Sequence, residues 1–166
     1  MSSLIRSPER LKSLVSTRLF EPSDLRAIYA IEEACFEAPQ RFSLRLMKSL
    51  IQDTRCTIWV GTVDHLLAGF AIARMRAEEA PDSAYIWTIE VLPAFRRVGF
   101  AQQLLLRIEE SARLGACTAI ELHVSASNLA AISLYEKCGY TRGVDVYGFY
   151  GPGEDGIEYR KTISGR

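Results

Sequence analysis

The alternation of apolar and polar positions divides the chain into short segments. Residues 17–20 read as a strand, and Pro22-Ser23-Asp24 then opens a helix with Ser23 or Asp24 as N-cap. Leu25, Ile28, Tyr29, Ile31 and Cys35 give that helix an apolar stripe, and Pro39 breaks it. Ser43 caps a second helix carrying Leu46, Met47 and Leu50. Strands follow at 57–63 and 67–75, divided by the hairpin-like break Asp64-His65. Residues 76–83 are charged, contain Pro81 and read as a loop before a strand at 84–91, which Pro93 ends. The longest helix is expected over 99–114, with Ala101, Leu105, Ile108 and Ala112 buried and Gly115 as its C′ residue. In a strand at 119–124, Ile120, Leu122 and Val124 alternate with Glu121 and His123. Ser127-Asn128 opens a helix with Ala131, Leu134, Tyr135 and Cys138 on one face, and strands at 141–147 and 157–163 close the chain around a Gly-rich loop at 151–156.

The order β-α-α-β-β-β-α-β-α-β-β predicts an α/β (α+β) fold, a mixed sheet covered by helices. Residues 1–15 are polar and weakly patterned and read as a flexible N-terminal extension, which leaves one domain at 16–166. A length of 166 residues suffices for a real core, and 48% hydrophobic with 24% charged residues is ordinary for a soluble globular protein. Lys+Arg and Asp+Glu balance at 20 each, so no global charge draws the chain to nucleic acid or an anionic membrane. No apolar run approaches the roughly 20 residues of a membrane span, and residues 1–10 lack the apolar core of a signal peptide, so a cytoplasmic protein is expected. Cys35, Cys56, Cys117 and Cys138 show no C-x-x-C spacing and stand beside only 2 histidines. That inventory predicts no metal site and reduced cysteines.

The stretch 84–107 carries the clearest chemistry. A strand ends in Val91-Leu92-Pro93, the basic pair Arg96-Arg97 follows, and Gly99 leads into a helix. A helix N-terminus presents unpaired N–H groups and a positive dipole end to an anion. Glycine admits close approach of phosphate, and arginines add charge-assisted contacts. The same pattern also suits a plain strand–turn–helix corner with solvent-facing arginines. A G-x-G-x-x-G fingerprint and a Walker lysine are both absent.

The segment Val91-Leu92-Pro93-Ala94-Phe95-Arg96-Arg97-Val98-Gly99-Phe100-Ala101 resembles the acetyl-CoA signature of the GNAT superfamily, Gln/Arg-x-x-Gly-x-Gly/Ala after a strand ending in Val-x-Pro. Arg96, Gly99 and Ala101 fill its defining places. A second block, Asn128 with Ala131-Ile132-x-Leu134-Tyr135-Glu136-Lys137-Cys138-Gly139-Tyr140, resembles the family's N-x-x-A-I-x-L-Y-x-x-x-G-F segment. The resemblance covers about residues 16–163 and implies the GNAT acyl-CoA N-acyltransferase fold with acetyl-CoA as cofactor.

It further implies a strand splayed from its neighbour at Ile89, Glu90 and Val91, where the pantetheine arm lies, and a pyrophosphate held by Arg96, Arg97, Val98, Gly99, Phe100, Ala101 and Gln102. Asn128 is implied to hold the pantetheine, or to serve as an N-cap, or both. Tyr135 matches the tyrosine that protonates the departing thiolate.

Within the superfamily the chain resembles the ribosomal-protein-alanine and N-terminal (Nα) acetyltransferases. Tyr85-Ile86-Trp87-Thr88 and Leu122-His123-Val124 look like the segments in which a tyrosine and a histidine act as base through a water. That makes His123 the base with Tyr85 assisting, with Glu90 as a rival and Glu121 as a group that orients the histidine or binds an ammonium. Glu32-x-x-Cys35-Phe36-x-x-Pro39 and Phe149-Tyr150 fall where the Nα group lines its peptide slot, which makes Phe36, Pro39, Tyr85, Phe149 and Tyr150 substrate contacts. Phe149 departs from the group's tyrosine, and Gln40-Arg41 departs from a Trp-Ser pair. The implied acceptor is a protein or peptide N-terminus. A small amine (polyamine, amino acid or drug) and a non-catalytic acyl-CoA-binding regulatory domain are the alternatives, and the family allows a monomer or a homodimer.

Overall fold

The computed structural model describes residues 14–38, 40–76 and 79–163. Most of the expected extension, 1–13, and Pro39 lie outside the described residues. The strands are β1 (Val15–Leu19), β2 (Cys56–Val63), β3 (Leu66–Arg74), β4 (Ser83–Val91), β5 (Ala119–Ser125), β6 (Thr141–Gly151) and β7 (Glu154–Thr162). The helices are α1 (Leu25–Cys35), α2 (Leu44–Gln52), α3 (Phe100–Leu114) and α4 (Leu129–Lys137). The element order is the expected one.

Local chemistry accounts for the boundaries. Ser43 Oγ accepts from Leu46 N at 3.1 Å and starts α2. Asp64 and His65 have φ of 49° and 67°, the two left-handed positions of a tight hairpin turn whose twist matches β2 and β3. Asp24 is not a free N-cap. Its carboxylate takes two bonds from Arg18, at 2.7 and 2.9 Å, and one from Glu21 N at 2.8 Å, so it ties β1 to the short 3-10 turn Pro22–Asp24 ahead of α1. At the end of α3 the left-handed residue is Ala116, with φ 59°, rather than Gly115. Gly115 N still reaches Ser111 O, and Cys117 N closes back on Ala112 O at 2.9 Å, so the reversal falls one residue later than expected. The last hairpin is longer than expected, because β6 and β7 run up to the turn at Pro152-Gly153.

The sheet order is β1-β2-β3-β4-β5-β7-β6. Every neighbouring pair is antiparallel except β4 and β5. Each face carries its own core. On one, Leu104, Leu105 and Ile108 of α3 and Tyr135 of α4 share a core with Ile120, Leu122 and Tyr159 of the sheet; on the other, α1 and α2 bury Ile28, Ile31, Met47 and Leu50 against Val60, Phe70 and Ile72.

Two irregularities interrupt the sheet around β4. The β3–β4 register passes from Ile72↔Thr88 to Ala73↔Ile86, so Trp87 is an extra, bulged residue. The bulge brings both Tyr85-x-Trp87 and Thr88-x-Glu90 to the α1–α2 face, while Ile86 and Ile89 turn to the α3 core. The second irregularity is that β4 and β5 pair only over Ser83–Ile86 and Ala119–Leu122. Beyond that point β5 stays with β7 as far as Ser125↔Gly156, and β4 stays with β3 as far as Gly69↔Val91. The two parallel strands are therefore splayed at their C-terminal ends.

The start of α3 is fixed by the Phe100 ring, which lies across two glycines. A Cβ on Gly61 would stand 2.3 Å from Phe100 Cε1, and one on Gly69 would stand 2.8 Å from the same atom. Gly61→Ala is expected to cost about 1–3 kcal/mol by overpacking, and Phe100→Ala about 3–5 kcal/mol by leaving a cavity. Urea midpoints would measure both. The pair Gly61→Ala/Phe100→Leu should recover part of the loss, since the three atoms nearest the added methyl all belong to that ring.

Candidate active site

A cavity of about 390 Å³ opens where β4 and β5 part. Its walls come from the α1–α2 connection (Phe36, Gln40, Phe42), from β4 (Trp87, Thr88, Ile89), from β5 (His123, Val124, Ser125), from the start of α4 (Asn128, Ala131, Tyr135) and from Tyr150 of β6. Of the residues singled out in the sequence, Phe36, Ile89, His123, Asn128, Tyr135 and Tyr150 meet here. Gln40 Nε2 donates to Glu154 and so ties the α1–α2 connection to the β6–β7 hairpin.

His123 and Tyr85 share one face of the sheet across the β4–β5 pair. The Tyr85 hydroxyl lies 3.0 Å from His123 Nδ1. Burial lowers the His123 pKa below its ordinary value, against the opposing pull of Glu158 and Glu121. The ring is therefore neutral at pH 7. Burial pushes the Tyr85 phenol up to about 12, so it stays protonated beside the ring. Where Nδ1 carries the proton, the phenol oxygen accepts it and Nε2 keeps a lone pair for a substrate proton. Among the described residues, Glu121 makes its hydrogen bonds away from the histidine ring. Its carboxylate is taken by Arg160 and by Ser83 Oγ.

Glu90 lies behind the cavity. It is 3% exposed and faces Glu32, which is fully buried. Thr88 Oγ1 donates to Glu90 Oε1 at 2.8 Å, and Phe42 N donates to Glu32 Oε1 at 2.6 Å. Burial and then the Glu32 carboxyl push the Glu90 pKa far above the carboxylate range. A carboxyl that is already protonated at pH 7 accepts no proton, which speaks against Glu90 as the base.

The loop after β4 matches the anion-cradle pattern in its backbone and departs from it at the Arg96 side chain. Gly99 has φ 79° and caps α3, and the first intrahelical bond is Gln103 N to Gly99 O. The N–H groups of Gly99, Phe100, Ala101 and Gln102 thus have no helical acceptor. Val98 and Phe100 are buried, so only their backbones are available to a ligand. Arg96 turns back along the chain: Nε donates to Val91 O at 2.8 Å and Nη2 reaches Cys35 Sγ at 3.5 Å. Arg97, in the left-handed region at φ 63°, is exposed and makes no ion pair among the described residues.

Asn128 Oδ1 caps α4 on Ala131 N at 3.1 Å, which leaves its amide N–H groups to donate elsewhere. Tyr135 packs edge-on against Tyr140, and burial raises its pKa, so its hydroxyl keeps its proton. Phe149 and Tyr85 do not line the cavity but touch its histidine. Phe149 stacks on the imidazole at 4.2 Å between centroids.

Trp87 and Phe42 are wall residues that sequence reasoning did not single out. Their rings meet edge-to-face at 6.3 Å. Strict alternation gives no sign of the bulge that turns Trp87 to this face. Aromatic clustering at Tyr85-x-Trp87 was the available signal.

Among the described residues no group of three or more His, Cys, Asp or Glu side chains is placed to hold a metal, and no helix is long and apolar enough to cross a membrane.

Residues 25–140 match the acetyltransferase (GNAT) family, and the chain belongs to it. It is 34% identical to the [ribosomal protein bS18]-alanine N-acetyltransferase of Escherichia coli over 139 residues, 83% of this chain and 88% of that protein. It is 32% identical to N-alpha-acetyltransferase 20 of Dictyostelium discoideum over 96 residues, 57% of this chain, and the match spans only 56% of that relative's length. The crystal structure of the Escherichia coli ribosomal-protein-S18-alanine N-acetyltransferase superposes with a TM-score of 0.80 at 28% identity, covering 92% of this chain and 96% of that one. Arabidopsis thaliana NAA60 in complex with acetyl-CoA shares the fold, with a TM-score of 0.78 at 24% identity over 91% of this chain and 99% of that one.

The environment of Glu90 has a thermodynamic consequence. A carboxyl whose pKa is raised on folding binds a proton in the folded state that the unfolded chain has released. Its contribution to stability is full below the unfolded pKa, about 4.5, and is lost as pH rises from there towards the raised folded value. Stability should therefore fall with rising pH across neutrality, and Glu90→Gln should flatten that slope. Urea midpoints at pH 5, 7 and 8.5 would check it; parallel slopes in the two proteins would contradict the assignment.

Proposed function

We propose that the chain transfers an acetyl group from acetyl-CoA to the α-amino group of a protein or peptide, with His123 as base and Tyr85 holding it. The observation that carries this reading is that His123, on the wall of a groove that opens between splayed strands, is met at Nδ1 by the Tyr85 hydroxyl behind it.

The cofactor half rests on fit. Four orphan N–H groups behind the left-handed Gly99, with Arg97 beside them, suit a pyrophosphate. The β4 edge at Ile89, unpaired on the β5 side, suits an amide-bearing arm lying as an extra strand, and the amide of Asn128 suits the same arm from across the gap. Acetyl-CoA, when bound, supplies an acetyl thioester whose sulfur leaves with the electron pair. Tyr135 keeps its proton and offers a hydrogen bond to that sulfur. Its raised pKa makes full proton transfer to a thiolate, of ordinary pKa about 8.5, uphill.

His123, neutral at pH 7, takes a proton from the incoming ammonium, directly or through one water. A base with pKa below the ordinary imidazole value of about 6.5 is better matched to an α-amine of about 7.7–8.0 than to lysine at about 10.4. The aromatic walls at Phe36, Phe42 and Tyr150 offer an extended peptide end apolar contact, and the relatives named for protein N-termini support that acceptor. The four cysteines stand as free thiols, which suits the cytoplasm.

A panel of peptides with different N-termini, free lysine and polyamines, followed by CoA release, tests the proposal. Peptide α-amines are expected to turn over fastest. Preference for a polyamine would replace the acceptor, and acetyl-CoA binding without turnover would replace the enzyme by a binding domain. His123→Gln should lower kcat by about 10²–10⁴-fold and abolish an acid limb lying below pH 6.5. Tyr135→Phe should lower kcat more than it weakens acetyl-CoA binding.

A further inference from the structure

The β6–β7 hairpin breaks its register beside His123. Val146 pairs with Gly156, and the next pair is Gly151 with Glu154, so residues 147–150 arch out against Asp155 alone. Gly148 takes φ 63° in the arch, and its N–H is held by Asp155 Oδ1 at 2.8 Å. The arch folds Phe149 onto the imidazole at 4.2 Å between centroids and 11° between planes. Tyr150, next in the arch, donates its hydroxyl to the His123 carbonyl at 2.9 Å. Gly156 makes this possible from below: a Cβ there would lie 2.9 Å from Phe149 Cβ and 3.0 Å from Cγ. A sheet irregularity, a glycine seat and two aromatic residues thus converge on one histidine.

We propose that the arch is a base-positioning element, in which Phe149, seated by Gly156, holds the His123 ring in the rotamer that Tyr85 meets and keeps water off one of its faces. The proposal rests on the reading of His123 as base. Other groups act on the ring from each element around it. Glu121 on β5, engaged by Arg160 of β7, and Glu158, opposite His123 on β7, favour the imidazolium; the Tyr85 and Tyr150 hydroxyls are neutral. Cover from Phe149 works against the two carboxylates. It also gives a role to the residue that stands where the Nα group carries a tyrosine: the stack needs the ring and not the hydroxyl.

The test is a proton NMR titration of the His123 ring in the full chain, assigned by the signal lost in His123→Gln, alongside the pH dependence of kcat. Phe149→Ala and Gly156→Ala are each expected to raise the His123 titration towards or past about 6.5, the ordinary imidazole value, and to move the acid limb of kcat upward with it. Phe149→Tyr should leave both in place. Gly156→Ala leaves the Phe149 side chain intact and displaces it, so agreement of the two variants separates positioning from loss of a peptide contact. An unmoved titration in both, with only KM for peptide changed, overturns the proposal. A moved titration with an unmoved pH–rate profile also overturns it, because the arch would then hold a histidine that is not the base.

Discussion

Two neighbouring parallel strands that stop hydrogen-bonding to each other set the conditions for everything else in this molecule. Past Ile86 and Leu122, β4 and β5 each keep one partner, β3 and β7, and lose the other. Buried backbone N–H and C=O groups are almost always paired, so a strand edge left open within a sheet is a binding surface by default. The bulge at Trp87 contributes to the parting by turning β4 while β5 keeps its register with β7. Helices α3 and α4 begin just beyond the C-terminal ends of the same two strands. Orphan helix N–H groups and unpaired strand edges thus fall on one side of the sheet, where open α/β sheets commonly bind their ligands.

Burial then sorts the titratable groups around that opening. It favours the neutral form of each, and neutrality means opposite things for different side chains. A neutral histidine is a base, which His123 becomes at lower pH than a free imidazole. A neutral glutamic acid is not, and burial beside Glu32 holds Glu90 in that form at pH 7. Tyr85 and Tyr135 keep their protons, and the Tyr85 oxygen can still accept from the imidazole. The glutamate and the histidine were both plausible bases by residue type. Of the two, it is His123 that the bulge and the splay leave facing the cavity.

That distinction also marks where sequence reading succeeds. The order of elements, the glycine that opens α3 at Gly99 and the α4 cap at Asn128 were legible because each depends on residues close together in the chain: a proline, a glycine at a helix start, a capping amide. The His123–Tyr85 pair was reached through resemblance, since it needs β4 and β5 side by side. What stayed hidden depends on register. Nothing in the pattern of 84–91 marks Trp87 as the extra residue, so its place beside Phe42 was not visible. Nor does Arg96 in the sequence reveal that its guanidinium turns back to Val91 and Cys35. The loop at 151–156 reads too long because Gly151, Gly153 and Gly156 together look like coil, although the hairpin uses them for its turn and as the seat of Phe149.

The cradle itself is held in shape by apolar packing. Gly99 sits between Val98 and Phe100, both buried, and the Phe100 ring is seated on Gly61 and Gly69 of β2 and β3. Fully burying a side chain of this size contributes about 1.5–3 kcal/mol, enough to fix where α3 starts without any help from a bound anion. The N–H groups are therefore oriented before a ligand arrives, which reduces the ordering cost of binding. The same logic holds at the histidine, where Gly156 seats Phe149 as Gly61 and Gly69 seat Phe100. In both places a missing Cβ lets an aromatic ring press on the sheet, and the ring fixes the polar group beside it.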